Sequence, residues 1–519
     1  MKRWLSNLAA AALFVGIGGA ALAEPDASAL FQSKCAACHG GDRLGAIGPA
    51  LLPDNLGRLG VAGAENVIRN GRTATQMPAF GAELDDASIK ALAAFVYTPP
   101  ATKPVWGEKE IVASRVLTPA PAATRPVFDA DPLNLFVVVE SGDHHVSILD
   151  GDKFEPIYRF ASRFALHGGP KFTHDGRYVF FGSRDGWVTK FDLWTLKVVA
   201  EVRAGVNARN IALSKDAKHL AVANYLPNTL VVLNADDLSV EKIFDVADRK
   251  GQSSRVSAVY QAPQRDSFIA ALKDVPEIWE IATNPNAGAV YPGLVHSYDK
   301  GMVEGLPSSK GLFALRRIET SEPLDDFFFD PDYRNLIGAS RTGDHAVVVN
   351  LNTGREIAAI PMPGMPHLGS GVSWMRDGHR LVATPHLKEG KISVIDTADW
   401  KRIATIETDG PGFFLRSHEN TPYAWVDAFM SPKKDVMQVI DKRSLEVVKE
   451  LRPAPGKVTA HVEFDRHGRH ALVSVWENDG AVIVYDAATL AEVKRLPMKK
   501  PSGKYNVHNK VTRSDGTSH

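Results

Sequence analysis

Cysteine is almost absent from this chain: two occur in 519 residues, Cys35 and Cys38. A disulfide-built scaffold is thereby excluded, and packing must supply the stability. An excess of charge of either sign is also lacking. The 60 basic residues are matched by 60 acidic ones, so no basic field is present for nucleic acid or an anionic membrane. Long apolar runs are confined to the start, Leu8 to Ala21, and nothing later approaches the length of a membrane span. With 44% apolar residues, 32 prolines and 42 glycines, the composition is that of a turn-rich globular chain. Its length calls for more than one domain.

The apolar run follows Lys2 and Arg3 and ends at Ala21-Leu22-Ala23, a small-x-small site before Glu24. That is the three-part pattern of a secretory signal peptide over residues 1–23. Export to a Gram-negative periplasm is expected, with no membrane span in the mature form.

Both cysteines fall in Cys35-Ala36-Ala37-Cys38-His39, a C-x-x-C-H site for covalent c-type haem. The thiols add to the porphyrin vinyl groups, and His39 is placed to bind the iron. A zinc site would need further Cys or His ligands at close spacing, and none follow. Residues 24–98 read as a small helical domain. One helix runs from Ser28 to Ala37, another from Ala64 to Arg69, and a last from Ala87 to Tyr97, capped by Asp85 or Asp86. Gly48-Pro49 predicts a loop whose carbonyl accepts the Nδ1–H of His39. Met77 precedes Pro78, which biases it towards an extended loop and exposes its thioether to the haem as a second iron ligand. The domain resembles a class I cytochrome c. Proline-rich residues 99–127 read as a stiff extended linker.

From residue 128 the sequence repeats. Val146-Ser147-Ile148-Leu149-Asp150 returns as Val188-Thr189-Lys190-Phe191-Asp192 and then as Leu230-Val231-Val232-Leu233-Asn234. Late copies end at Asn350, Asp396, Asp441 and Asp486. The steps are 42 and 42 early, then 46, 45 and 45. Eight copies of this period, with Thr-Leu, Ser-Leu and Asp-Gly turns, predict an eight-bladed β-propeller over residues 128–519. The 69-residue gap from Ile281 to Asn350 places an insertion near residues 284–312. The fold class is therefore mixed: a small all-α cytochrome domain joined to an all-β propeller.

A propeller alone does not name a function. Candidate residues are His167 before a Gly-Gly turn, His367 within Pro366-His367-Leu368-Gly369, His461 inside a strand, and Pro501-Ser502-Gly503-Lys504-Tyr505-Asn506-Val507 past the last repeat. Further local motifs are Arg184-Asp185, Asn207-Ala208-Arg209, Ala223-Asn224-Tyr225-Leu226-Pro227 and Ser474-Val475-Trp476. Together with the domain order, these resemble the cytochrome cd1 nitrite reductases and their relatives in haem d1 biosynthesis, over essentially the mature chain. The resemblance implies a haem d1-type tetrapyrrole in the propeller channel. It puts His167 at the proximal iron position, Arg184, Arg209 and Tyr225 around the macrocycle, and His367 on the distal side.

One departure matters. The reductases use two distal histidines; His367 matches one, and Asp325 stands where the other falls. His461 has no counterpart there. That pattern is similar to the dihydro-haem d1 dehydrogenases, which convert a propionate of dihydro-haem d1 to an acrylate. It implies His461 as general base, Tyr505 orienting the carboxylate or relaying a proton, and haem c held by Cys35, Cys38, His39 and Met77 taking the electrons. The expected partners are the haem d1 precursor, an external electron acceptor, cytochrome cd1 nitrite reductase and other haem d1 assembly proteins. Alternatives within the resemblance are a nitrite reductase and a non-enzymatic haem d1 carrier.

Overall fold

A computed structural model describes residues 25–46, 48–57, 59–72, 77–102, 104–119, 122–291 and 308–512. The expected signal peptide lies outside them, as does most of the insertion. The N-terminal domain is helical. Its first predicted helix is split at Cys35 into α1 (Ala27–Lys34) and α2 (Ala36–His39). Asp26 caps α1 by accepting the N–H groups of Ser28 and Ala29, each at 3.0 Å. A short α3 (Pro53–Leu56) leads to α4 (Gly60–Asn70), which begins four residues earlier than the apolar pattern indicates. Asp85 caps α5 (Asp86–Val96), and Ile89, Leu92, Ala93 and Val96 make its buried face, as their spacing predicts.

The linker departs from its expected extended form. Within it, Glu108–Ser114 forms α6 and Val116–Leu117 forms a short strand. The helix is held because Gly107 N–H donates to Glu110 at 2.8 Å and Ile111 is fully buried against the propeller. The strand pairs with Lys197–Arg203 and gives that sheet a fifth strand. Proline density stiffens a segment only where no apolar side chain can reach a neighbouring surface, and Ile111 can.

The remainder forms eight antiparallel sheets. Every repeat seen in the sequence is the third strand of a blade, from His145–Asp150 in blade 1 to Gly480–Asp486 in blade 8. These strands are apolar on both faces because neighbouring blades cover both. In every blade but the fourth, where Ala282 stands there, this strand ends in Asp or Asn, which folds back on the next turn. Asp192 accepts the Trp194 N–H, Asp441 the Ser444 N–H and Asp486 the Thr489 N–H. The following Leu196, Leu445 and Leu490 take left-handed backbone angles that reverse the chain. The ring closes with material from both ends. Pro501–Asn506 pairs with Phe136–Glu140, so the last strand is the innermost strand of blade 1. In blade 4 the insertion lies between Glu277–Ala282 and Leu315–Glu319, which pair directly.

The two domains touch. Ala50 and Leu52 of the loop after the C-x-x-C-H turn are buried with Val206 and Leu226 of the propeller. Arg203 donates to the Leu44 carbonyl at 2.7 Å, and Trp106 donates to the Arg203 carbonyl at 2.8 Å.

Candidate functional site

At the cytochrome end, α2 turns Cys38 and His39 back over Cys35, whose carbonyl accepts both N–H groups. Burial, and then the neighbouring Cys38, push the Cys35 thiol up to about 11. His39 Nδ1–H donates to the Pro49 carbonyl at 2.8 Å, as the Gly-Pro loop predicts. That bond fixes the tautomer and leaves Nε2 with its lone pair. Burial holds His39 below its usual range, so the ring stays neutral. A neutral imidazole beside two thiols fits covalent haem c. Met77 lies on a non-helical stretch as expected, half-buried, its carbonyl accepting the Arg72 N–H at 3.2 Å.

In the propeller, the entry ends of the inner strands converge. His167 sits just before the inner strand of blade 2, and the left-handed Gly168 and Gly169 turn the chain after it. Its Nδ1–H donates to the Arg209 carbonyl at 2.9 Å, and Arg184 Nη2–H donates to its Nε2 at 3.0 Å. Burial, then the charges of Arg184 and Arg209, hold His167 well below its usual value. His167 is therefore neutral, and the lone pair on its Nε2, the atom that would ligate iron, accepts from Arg184. Arg209 extends from the inner strand of blade 3 to Asp326 at 3.5 Å, and Tyr260 donates to the same carboxylate at 2.8 Å. Burial favours neutral Arg209, but the charges of Tyr225 and Asp326 more than offset it. Tyr225 is the penultimate residue of the second strand of blade 3, with the Lys273 ammonium 5.4 Å from its ring centre.

Opposite, an aromatic row runs along blades 6, 7, 8 and 1. His367 lies 3.9 Å from Phe413 between ring centres, and its Nδ1–H donates to the Phe413 carbonyl at 2.8 Å. Phe413 meets Phe414 at 4.7 Å, Phe414 meets His461 at 4.6 Å, and His461 meets Tyr505 at 5.3 Å, edge to face. His461 is 1% exposed, and neither ring nitrogen has a hydrogen-bond partner among the described residues. Burial, then Lys504, Arg416 and Lys510, hold its imidazole well below the usual range, so it is a neutral base. Burial pushes Tyr505 up to about 12, which keeps it a phenol and a hydrogen-bond donor.

Asp325, where a second distal histidine falls in the reductases, is bound to the Lys273 ammonium. Its carboxylate is thereby committed to the wall. The fold also brings in three residues that sequence reasoning missed. Arg416, on the inner strand of blade 7, is 8% exposed, and its Nε and Nη2 have no partner among the described residues. Lys504 and Asp427 are fully buried beside His461. Lys504 lies inside the closing motif and was legible there; Arg416 and Asp427 carry no local signature.

A cavity of about 1080 Å³ reaches Arg416 and Glu463 from the opposite mouth of the channel. Its walls include Asp330, Asp377 and His418, each just past the end of an inner strand.

The model of the cytochrome D1 heme domain matches residues 130–287 and 308–510. This chain belongs to the cytochrome D1 heme domain family. A second model, cytochrome C oxidase cbb3-type subunit III, matches residues 23–96. Among curated relatives, the dihydro-heme d1 dehydrogenase of Pseudomonas aeruginosa is 55% identical over 96% of each chain. The nitrite reductase of Stutzerimonas stutzeri is 25% identical over 98% of each. A solved structure described as dihydro-heme d1 dehydrogenase NirN in complex with DHE superposes with a TM-score of 0.82. It is 54% identical, with 93% of this chain and 99% of that one covered. The matches to the dehydrogenase and to the nitrite reductase span both domains.

The haem c end yields a direct prediction. A Cβ on Gly48 would stand 2.7 Å from Cε1 and 2.8 Å from Nδ1 of His39. Gly48→Ala is expected to push the imidazole off its carbonyl and weaken the axial bond by about 10-fold or more. The haem c content per chain and the reduced absorption spectrum check it; an unchanged spectrum at full haem content would contradict it.

Proposed function

We propose that this chain oxidises dihydro-haem d1 to haem d1 in the periplasm, turning one propionate side chain into an acrylate. Two C–H bonds break, one C=C bond forms, and two protons and two electrons leave. The observation that carries the reading is His461: a buried imidazole, neutral and free at both nitrogens, beside the phenol of Tyr505. A buried polar ring left unpaired costs stability unless a ligand completes it. His461 takes the proton from the propionate carbon whose C–H breaks first. Tyr505, kept as a phenol, orients the carboxylate. The free N–H groups of Arg416 receive that carboxylate, because a guanidinium is the matching donor.

His167 presents Nε2 to the macrocycle iron, with Arg184 and Arg209 beside it for its other carboxylates. His367 lines the distal side. Cys35, Cys38, His39 and Met77 would hold haem c, which would supply a one-electron acceptor for the two electrons leaving the substrate, with an external acceptor needed twice per turnover. The interdomain contact supports this arrangement. Pro49 holds His39, the adjoining Ala50 and Leu52 pack on Leu226, and Tyr225 of the channel wall precedes Leu226. The named relative at 55% identity supports the same chemistry. Commitment of Asp325 to Lys273 disfavours nitrite reduction, which needs a second proton donor there.

The signal-peptide pattern and haem c attachment outside the cytoplasm support the periplasm. Cytochrome cd1 nitrite reductase and the other haem d1 assembly proteins are the partners this reading expects for the product and its precursor. The holoprotein mixed with dihydro-haem d1 and an oxidant is expected to yield a product lighter by two hydrogens, with haem c transiently reduced. Binding with no change in pigment mass would make it a carrier instead.

A further inference from the structure

His461 has a φ of +55° at a bulge between Ala460 and Val462. This is the left-handed region, which a residue with a Cβ rarely adopts and which is retained where the surroundings enforce it. Two buried ionic groups meet its backbone, one from each side. Asp427, at the end of the second strand of blade 7, faces the His461 N–H at 3.5 Å and accepts the Phe413 and Phe414 N–H groups at 2.9 and 3.1 Å. Lys504, on the closing strand, donates to the His461 carbonyl and to Ser474 Oγ at 2.9 Å. Lys504 and Asp427 are both 0% exposed.

We infer that Lys504 and Asp427 are positioning residues, which clamp the His461 backbone so that its imidazole stands free in the channel for proton abstraction. The inference rests on the dehydrogenase reading above. The same Asp427 carboxylate fixes Phe413 and Phe414, which flank His367 and His461, so one group sets the spacing of the aromatic row. Burying a lysine without need is costly, and a main-chain carbonyl is a weak reason to do so. Setting a catalytic side chain is a sufficient one.

Lys504 also acts on charge. The groups facing His461 are Lys504 and Tyr505 from blade 1, Arg416 and Asp427 from blade 7, Lys510 from the terminal helix, and Glu463 on its own strand. Burial comes first in holding the imidazole down, and Lys504 is the largest of the charges that add to it. Burial holds the Lys504 amine itself well below its usual range, so its charge acts at the acid limb of kcat/KM, where low pH favours the protonated form; removing it moves the imidazole upward and that limb to higher pH.

The test uses the holoenzyme with dihydro-haem d1 and an oxidant. Lys504→Met is expected to lower kcat by about 10-fold or more, with KM changed less than about threefold. Its acid limb should lie at higher pH, and the His461 imidazole, followed by NMR without substrate, should titrate higher. Asp427→Asn sets an amide N–H against the Phe413 or Phe414 N–H, because both carboxylate oxygens accept there, and is expected to lower kcat; a folded Asp427→Asn enzyme with wild-type kcat removes Asp427 from the clamp. A folded Lys504→Met enzyme with wild-type kcat and acid limb overturns the inference. Should Lys504→Met fail to fold, Ser474→Ala, which frees one contact of the ammonium, decides: a lowered kcat supports the clamp and an unchanged kcat overturns it. A wild-type enzyme that binds the pigment without oxidising it overturns the dehydrogenase reading, and the clamp with it.

Discussion

Replacing His461 by alanine is expected to slow conversion of dihydro-haem d1 by roughly 10²–10⁴-fold, the range in which a positioned general base contributes. Pigment affinity should change little, since the proposed arrangement assigns the grip on the macrocycle to His167, Arg184 and Arg209. The size of the loss follows from the surroundings. With 1% exposure and no partner at either nitrogen, this imidazole has no water shell to replace it when it is removed. The pH dependence has a definite sign. A base works in its neutral form, and burial with Lys504, Arg416 and Lys510 nearby favours that form. Wild-type kcat/KM should therefore stay flat as pH falls through 6.5, where an ordinary histidine protonates, and decline only at lower pH. Stopped-flow absorption, read at the haem c bands and at the pigment bands, gives both quantities. An alanine variant as fast as the wild type would remove His461 from the mechanism.

The propeller was legible because its repeat is enforced by geometry. Each third strand must be buried on both faces, and in seven blades its final Asp or Asn folds onto the next turn; outside blade 4 and its insertion these demands leave a mark every 42 to 46 residues. The C-x-x-C-H turn and the Pro49 carbonyl were legible for a similar reason, being local in the chain. Other features depend on partners far away. The linker folds into a helix and a strand because Ile111 and Val116 meet the outer strand of blade 2 and its surroundings, some 90 residues on. The pairing of Lys273 with Asp325 and of Asp427 with the His461 backbone joins neighbouring blades. No spacing rule within one blade predicts which polar side chain the next blade will offer. His461, Tyr505 and His367 stood out in the sequence, whereas Arg416, on a strand of only three residues, did not.

Arg416→Met is expected to act on binding and on stability in opposite directions. In the wild type, a guanidinium 8% exposed leaves Nε and Nη2 without partners, and burial holds it below its ordinary value. The charge of Glu463 offsets only part of that burial. Taking such a charge from water is costly when its N–H groups lack partners, and an apolar side chain of similar volume removes that cost, while Glu463 keeps the nearby Lys504 amine. Methionine is unbranched and fills the same path, so the substrate-free variant should melt at or above the wild-type temperature. With pigment present the balance reverses. Loss of a buried charge pair to the substrate carboxylate costs about 2–5 kcal/mol, or roughly 30- to 5000-fold in affinity. Stabilisation by added dihydro-haem d1 should accordingly be much smaller in the variant than in the wild type. Melting curves with and without pigment, together with a binding titration, read both effects on the same samples. A purely structural arginine would lower stability and leave affinity alone. Observation of that pattern would return Arg416 to the wall of the cavity and require another group to hold the reacting carboxylate.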